Sequence, residues 1–320
     1  MALHPQTTAF LFPGQGSQQV GMGKQLAQRF PQAAQVFAEA DEILDFQLSR
    51  LCWDGPAEVL DDTVNTQPAL LTHSIAVLRT LQAEHPQIQP GLTAGHSMGE
   101  YSALVCAGSL DFPDALRLVR ARGEAMKLAG GLGPGGMAAV LGMEAEVVEE
   151  VCRLAGQESG QPVQLANDNC PGQLVISGSE AALTRALELL KERGARRLVR
   201  LAVSIAAHSP LMEPGQQQFN RALENTPLGE PRVPILGNVG ARPLHSADDI
   251  RGELRAQLTS RVRWTETIQA MAAQGVAAFL ELGSKDVLTR LAGRIAPGLA
   301  ARSLDEPESF TGLADWPKSA

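Results

Sequence analysis

The sequence predicts an α/β fold: a mostly parallel sheet covered by helices, with a hydrolase-like strand-to-helix turn and a small inserted α+β subdomain. Three observations predict it. Short apolar runs alternate with longer stretches of helical spacing, as in parallel strands joined by crossovers. Gly95-His96-Ser97-Met98-Gly99 lies between one such run and one such stretch and fits G-x-S-x-G. Five of the seven residues from 130 to 136 are glycine, and a second strand–helix alternation follows them.

Taken in order, residues 9–12 form a short apolar strand stopped by Pro13-Gly14. Residues 24–41 carry Leu26, Phe30, Ala33, Ala34 and Phe37 at helical spacing. Residues 66–81, with Pro68 near the start, are largely apolar and predict a buried helix. Residues 91–94 form a strand that turns at Gly95 into a helix beginning near Met98, amphipathic over 100–107. The glycine run at 130–136 predicts a flexible loop or hinge; a phosphate loop would need a following Lys-Ser/Thr, which is absent. Strands at 137–141, 174–177 and 197–203 and helices at 145–155 and 180–193 then predict a ferredoxin-like subdomain over 130–205. It interrupts a body formed by residues 1–129 and 206–320, which resumes near His208 and is patterned to about Arg294. The tail after Pro307 is weakly patterned and predicts surface.

Composition narrows the function. With 320 residues, 44% hydrophobic and 19% charged, the chain can bury a core and is not disordered. A net charge of -8, with only one Tyr and three Trp, argues against nucleic-acid binding. Cys52, Cys106, Cys152 and Cys170 lack metal-site spacing, so no metal is expected and free buried thiols are preferred to disulfides. Residues 1–8 lack a basic signal region and no stretch approaches 18 apolar residues, so a soluble, cytoplasmic protein without a membrane role is expected.

The G-x-S-x-G turn would lift the Ser97 hydroxyl to the start of a helix, where free N–H groups, Met98 first, can bind an oxyanion. The alternative is a pair of turn glycines around an inert serine. A serine nucleophile needs a base, and six histidines are available. His4, His85 and His245 lie in terminal or loop segments. His73 reads as a core residue, and His96 points away from its neighbour. His208, where a loop enters the body, is the best placed. Gly14-Gln15-Gly16 hints at a dinucleotide loop, but its third glycine falls on Gln19; such a loop can instead place the Gln15 amide over a reaction centre. Arg122, alone, reads as a solvated helix arginine. Buried at a site, it would be a bidentate carboxylate receptor.

Together, Phe12-Pro13-Gly14-Gln15-Gly16-Ser17-Gln18, Gly95-His96-Ser97-Met98-Gly99-Glu100, Arg122-Gly123 and His208-Ser209-Pro210 resemble the malonyl-CoA:acyl carrier protein transacylases. The acyltransferase domains of polyketide synthases share the pattern. Asn169 with Pro171-Gly172-Gln173, Gln257-Leu258 and Ser303-Leu304-Asp305 extend the resemblance from about residue 9 to about 305. The resemblance implies that Ser97 takes the malonyl group from coenzyme A, with His208 as base and then acid. It implies oxyanion N–H groups at Gln15 and Met98, a carboxylate partner in Arg122, and a His208 held by the Gln257 main-chain carbonyl. Asn169 and Ala207 are candidate substrate contacts. Malonyl-CoA and the phosphopantetheine thiol of acyl carrier protein are the implied partners, with no cofactor and a monomeric state.

Two departures stand out. Ala207 replaces the Phe of many malonyl-selective members and leaves room beside the α-carbon, where one methyl is worth only ~1–3 kcal/mol. Gly283-Ser284-Lys285-Asp286 replaces a Gly-Pro-Gly-Lys-like loop and reads as a surface turn that touches none of these roles. A standalone chain leans toward fatty-acid synthesis. The alternatives are a polyketide-pathway acyltransferase with broader extender choice, a serine thioesterase or esterase, and a carrier-binding scaffold with a dead site. Lys191, Arg193, Arg196, Arg197 and Arg200 put five positive charges into ten residues. They form either a docking surface for an acidic carrier protein or a solvated helix end.

Overall fold

A computed structural model describes His4 and residues 7–316; residues 1–3, 5–6 and 317–320, at the ends of the expected body, lie outside the described residues. Strand β1 (Thr8–Phe12) is buried throughout, as a central parallel strand covered on both faces must be. Next come α1 (Lys24–Arg29) and α2 (Pro31–Leu44). The single helix expected over 24–41 is thus two, because Pro31 forces Phe30 into extended backbone with φ -121°. Short α3 (Leu48–Asp54) and α4 (Ala57–Leu60) lead to α5 (Thr63–Glu84), capped by the Asp62 carboxylate on the Val64 N–H. Helix α5 is buried along most of its length, which explains its lack of a polar face.

Strand β2 (Leu92–Gly95) feeds α6 (Gly99–Cys106), followed by α7 (Phe112–Leu132). Helix α6 is buried from Gly99 through Leu104, not amphipathic, because it is packed against β1, β2 and α5. Helix α7 continues through Gly130 and Gly131, so the expected hinge is the end of a helix. Two glycines of the run serve close approach: a Cβ on Gly130 would press on Ile205, and one on Gly135, in the strand that follows, on the Gly178 carbonyl.

The second sheet contains β3 (Gly135–Leu141), β4 (Val163–Cys170), β5 (Gln173–Ser179) and β6 (Arg197–Arg200), with α8 (Ala145–Ser159) and α9 (Glu180–Glu192). Its order is β4-β5-β3-β6, every neighbouring pair antiparallel. Strand β4 is absent from the sequence reading. Its Asn167-Asp168-Asn169 stretch is polar, and register shifts between Leu165 and Asn167 and between Asp168 and Cys170 break the alternation. With it the order of elements is βαββαβ, that of two split βαβ units. Strand β6 ends at Arg200, short of the expected 203, and residues 201–203 are exposed.

The chain then forms α10 (Glu213–Glu224), β7 (Ile235–Leu236), β8 (Pro243–Leu244), α11 (Ala247–Gln257) and α12 (Trp264–Ala273). Strand β9 (Ala278–Leu282), α13 (Val287–Ile295) and β10 (Ala300–Leu304) complete it. The first sheet has the order β10-β9-β1-β2-β7-β8, parallel except for the β7–β8 pair. Pattern was expected to fade near Arg294, but β10 is an edge strand whose half-exposed residues carry little periodicity. The tail is largely surface but anchored at two points: Phe310 packs on Phe30, ring centroids 5.7 Å apart, and Leu313 is fully buried. No helix of the described residues is long and apolar enough to cross a membrane. Phe12 and Gly95 are partners in the β1–β2 ladder, so the loops after both strands emerge side by side at the carboxyl edge. Open α/β sheets place their sites there.

Candidate active site

Ser97 occupies the turn between β2 and α6 with φ 52°, a left-handed conformation that costs a non-glycine residue energy. A Cβ on Gly95 would overlap the backbone of Gly99, and one on Gly99 the carbonyl of Phe12. Strand, turn and helix therefore meet backbone to backbone, which explains both glycines of the motif. The Ser97 N–H donates to Asn238 Oδ1 at 2.7 Å, and Asn238 Nδ2 donates to the Gly95 carbonyl at 2.7 Å. Asn238, just beyond β7, clamps the turn, and nothing in the local sequence marks it.

The Ser97 hydroxyl lies 2.8 Å from His208 Nε2. On its far side, His208 Nδ1 lies 3.0 Å from each of the main-chain carbonyls of Gln257 and Ser260. Two carbonyls can only accept, so Nδ1 carries the proton and Nε2 is free to take one from the serine. Burial first, and then the Arg122 guanidinium, push His208 down from 6.5 to about 3, so its imidazole is neutral at physiological pH. Gln164 on the unforeseen strand β4 donates to the His208 carbonyl at 2.7 Å and to that of Thr259 at 3.1 Å.

Arg122 is 1% exposed, not solvated. Its Nη2 donates to Ser97 Oγ at 3.1 Å and to Gln257 Oε1 at 2.9 Å, and its Nη1 to Gln67 Oε1 at 2.8 Å. One signal in the sequence could have found it. Ala115, Val119, Arg122, Met126 and Ala129 share one helical stripe, and α7 packs that side against α5 and α10. Gln257 serves twice: its carbonyl holds the base, while its Nε2 donates to the Ser97 carbonyl at 3.1 Å and to the Glu100 carboxylate. Burial, then the nearby Glu253, push the Glu100 carboxyl well above the usual range.

The Gln15 side chain does not reach over the serine; its Oε1 accepts from Thr63 Oγ1 at 3.0 Å. What approaches the turn is its backbone, because Gly14 packs so closely under the His96 carbonyl that a Cβ there would overlap it. The Met98 side chain is buried, and its backbone leads into α6 directly after the nucleophile turn. Neither the Gln15 nor the Met98 N–H donates to another of the described residues. Asn169 Oδ1 lies 2.8 Å from His96 Nε2, and half-buried Ala207 adjoins the base. His96 packs edge-on against Trp264. His73 is a core residue as read, fully buried with Nε2 2.7 Å from Asp305 Oδ1.

The four cysteines are free, and burial pushes every thiol up, Cys106 and Cys152 to about 12. Among the described residues no group of three His, Cys, Asp or Glu could hold a metal. Lys191, Arg193, Arg196, Arg197 and Arg200 are all exposed, and Arg200 is ion-paired with Glu180. A serine against a neutral imidazole, two free N–H groups and a buried cation can carry an acyl group that itself bears a negative charge.

Comparisons with known proteins agree in kind. Residues 9–295 match the acyl transferase domain family. The malonyl CoA-acyl carrier protein transacylase of Bacillus subtilis is 47% identical over 302 residues, 94% of each chain. A crystal structure of malonyl-CoA:acyl carrier protein transacylase from Xanthomonas oryzae pv. oryzae superposes with TM-score 0.93 at 46% identity, covering 97% of this chain and 98% of that one. A malonyl-transacylase solved in complex with its type II PKS acyl-carrier protein has TM-score 0.93 at 42% identity, covering 96% and 99%. The match contains both sheets' central strands and every residue gathered around Ser97, and the chain belongs to the acyl transferase family.

Proposed function

We propose that the chain transfers the malonyl group from malonyl-CoA to the phosphopantetheine thiol of acyl carrier protein through an ester on Ser97, supplying fatty-acid synthesis. The observation that carries this reading is Arg122, a buried guanidinium 3.1 Å from the nucleophile. It serves a substrate carboxylate and has no purpose for the neutral ester of an esterase. Identity of 44–47% to named transacylases over most of the chain supports the same reaction.

As Oγ attacks the thioester carbonyl, His208 Nε2 takes the hydroxyl proton and the N–H groups of Gln15 and Met98 receive the oxyanion. The C–S bond breaks, and the imidazolium returns its proton to the leaving thiolate. In the second half the carrier thiol gives its proton to His208 and attacks the ester, and the serine recovers its hydroxyl. Arg122 turns from Ser97 to the malonyl carboxylate on binding. The arriving negative charge offsets the positive one that depresses His208, so the base strengthens once the acyl donor is in place.

In this reading the body comprises residues 1–129 and 206–320 and the inserted unit 130–205, and the site opens between them. Asn169 and Ala207 line the substrate path, and the basic segment at 191–200 meets the carrier protein. The enzyme works as a cytoplasmic monomer and needs nothing beyond its two substrates. Mass spectrometry after mixing with malonyl-CoA, methylmalonyl-CoA and acetyl-CoA in competition tests it: a malonyl adduct is expected on wild type and none on Ser97→Ala. Arg122→Ala should lose malonyl transfer while gaining relative activity on acetyl-CoA. Unchanged selectivity between the two donors would remove Arg122 from this role.

A further inference from the structure

The turn at 283–286 is tied to the glycine loop that follows β1. Lys285 Nζ donates to the carbonyls of Gly16 at 3.3 Å and Gln18 at 3.1 Å, on the loop that carries Gln15. We propose that Lys285 is a positioning residue that holds this loop so that the Gln15 N–H faces the developing oxyanion; the proposal rests on the reading of the Gln15 N–H given above.

The loop is braced from within at its tip, where the Gly16 N–H donates to Gln18 Oε1 at 2.7 Å and Ser17 Oγ to the Gly14 carbonyl at 2.6 Å. Gly14 and Gly16, the latter at φ 104°, leave its seating against the rest of the molecule to outside contacts. One flank is fixed to α5 and its approach: Thr63 Oγ1 donates to Gln15 Oε1, and Gln18 Nε2 donates to Asp61 Oδ1 at 2.8 Å. The opposite flank is held by Lys285. Both hydrogen-bond partners of its ammonium are main-chain oxygens of this loop, and a cation's bonds to carbonyls are stronger than neutral ones.

The lysine is itself rooted in the core. Its N–H donates to Asp305 Oδ2 at 2.9 Å, and Asp305 Oδ1 meets His73 of buried α5 at 2.7 Å. Its backbone has φ 67°, which glycine adopts freely and lysine does not. A strained non-glycine residue persists where its surroundings over-determine it. The side chain is what glycine could not supply.

That strain separates positioning from structure. Lys285→Gly relieves the backbone while removing the tie, so its thermal midpoint should equal or exceed that of wild type. The single-turnover rate of Ser97 malonylation should nevertheless fall about tenfold, part of the roughly 10²–10³ that a lost oxyanion donor costs. The KM for malonyl-CoA should change little, and amide hydrogen exchange over residues 14–18 should quicken. Lys285→Arg, which keeps a donor of similar reach, should restore most of the rate. If Lys285→Gly folds poorly, Lys285→Met makes the same comparison with the backbone strain retained. An unchanged acylation rate in well-folded Lys285→Gly or Lys285→Met overturns the proposal. A wild type that forms no Ser97 adduct would instead overturn the underlying reading of the site.

Discussion

His208 is a side chain whose titration folding changes strongly. An ordinary histidine titrates near 6.5, but this one is held neutral down to about 3 by burial and by Arg122. Between those values the unfolded chain binds a proton that the folded chain does not, so stability rises with pH across the interval and is lost as pH falls from 6.5 toward 3. Buried His96, also pushed down by burial, acts in the same sense. His208→Gln should therefore lose less stability than wild type on acidification from pH 6.5 to 4, measured by denaturant unfolding at each pH; parallel curves would contradict the assigned protonation state. Ser97 and His208 were legible in the sequence because a short motif and a loop context mark them. Asn238 and Gln67 were not, because an isolated Asn or Gln becomes a clamp only when distant segments meet around it.

Among the elements, the β2–α6 turn depends most on residue size. Gly99→Ala places a methyl group into the Phe12 carbonyl across the sheet edge. It should destabilise the protein by about 3 kcal/mol or more, as overpacking against backbone does. Ser97→Ala, which removes only the hydroxyl at the same turn, is the control, and equal stability of the two variants would refute the close approach. Helices with uniform burial or a clear stripe were read correctly in kind from the sequence, α5 and α8 among them. Strand β4 was lost because its bulges and its Asn-Asp-Asn run erase the alternation on which strand recognition rests. The glycines of 130–136 misled for a related reason: glycine signals either freedom or contact, and only the partner, here Ile205 or Gly178, decides which.

At the scale of the whole molecule, a net charge of -8 coexists with an exposed basic segment at 191–200. Distribution, not the total, governs an encounter with a charged partner. Reversing charge at Arg196 and Arg197 should raise the KM for acyl carrier protein at low salt, with the gap closing as salt is added and the KM for malonyl-CoA unmoved. Equal KM values for the carrier at low salt would leave the segment as plain surface. The two sheets are joined through the residues just after α11: Val262 exchanges main-chain hydrogen bonds with Ala166 and Asp168, and Arg261 pairs with both Asp168 and Glu149. The chain that orients the base thus also ties the second sheet to the first.

That orientation comes from main-chain oxygens, and the genetic code cannot delete a carbonyl. Saturation mutagenesis would therefore register a dyad, Ser97 and His208, with no third position whose loss uncouples the imidazole. Changes at Gln257 or Ser260 alter side chains and leave the accepting oxygens in place. At Gln257 the mutational signature would follow Arg122 and acyl-group preference instead. An orienting group written into the backbone is invisible to substitution, and drift in sequence can reach it only by moving the fold.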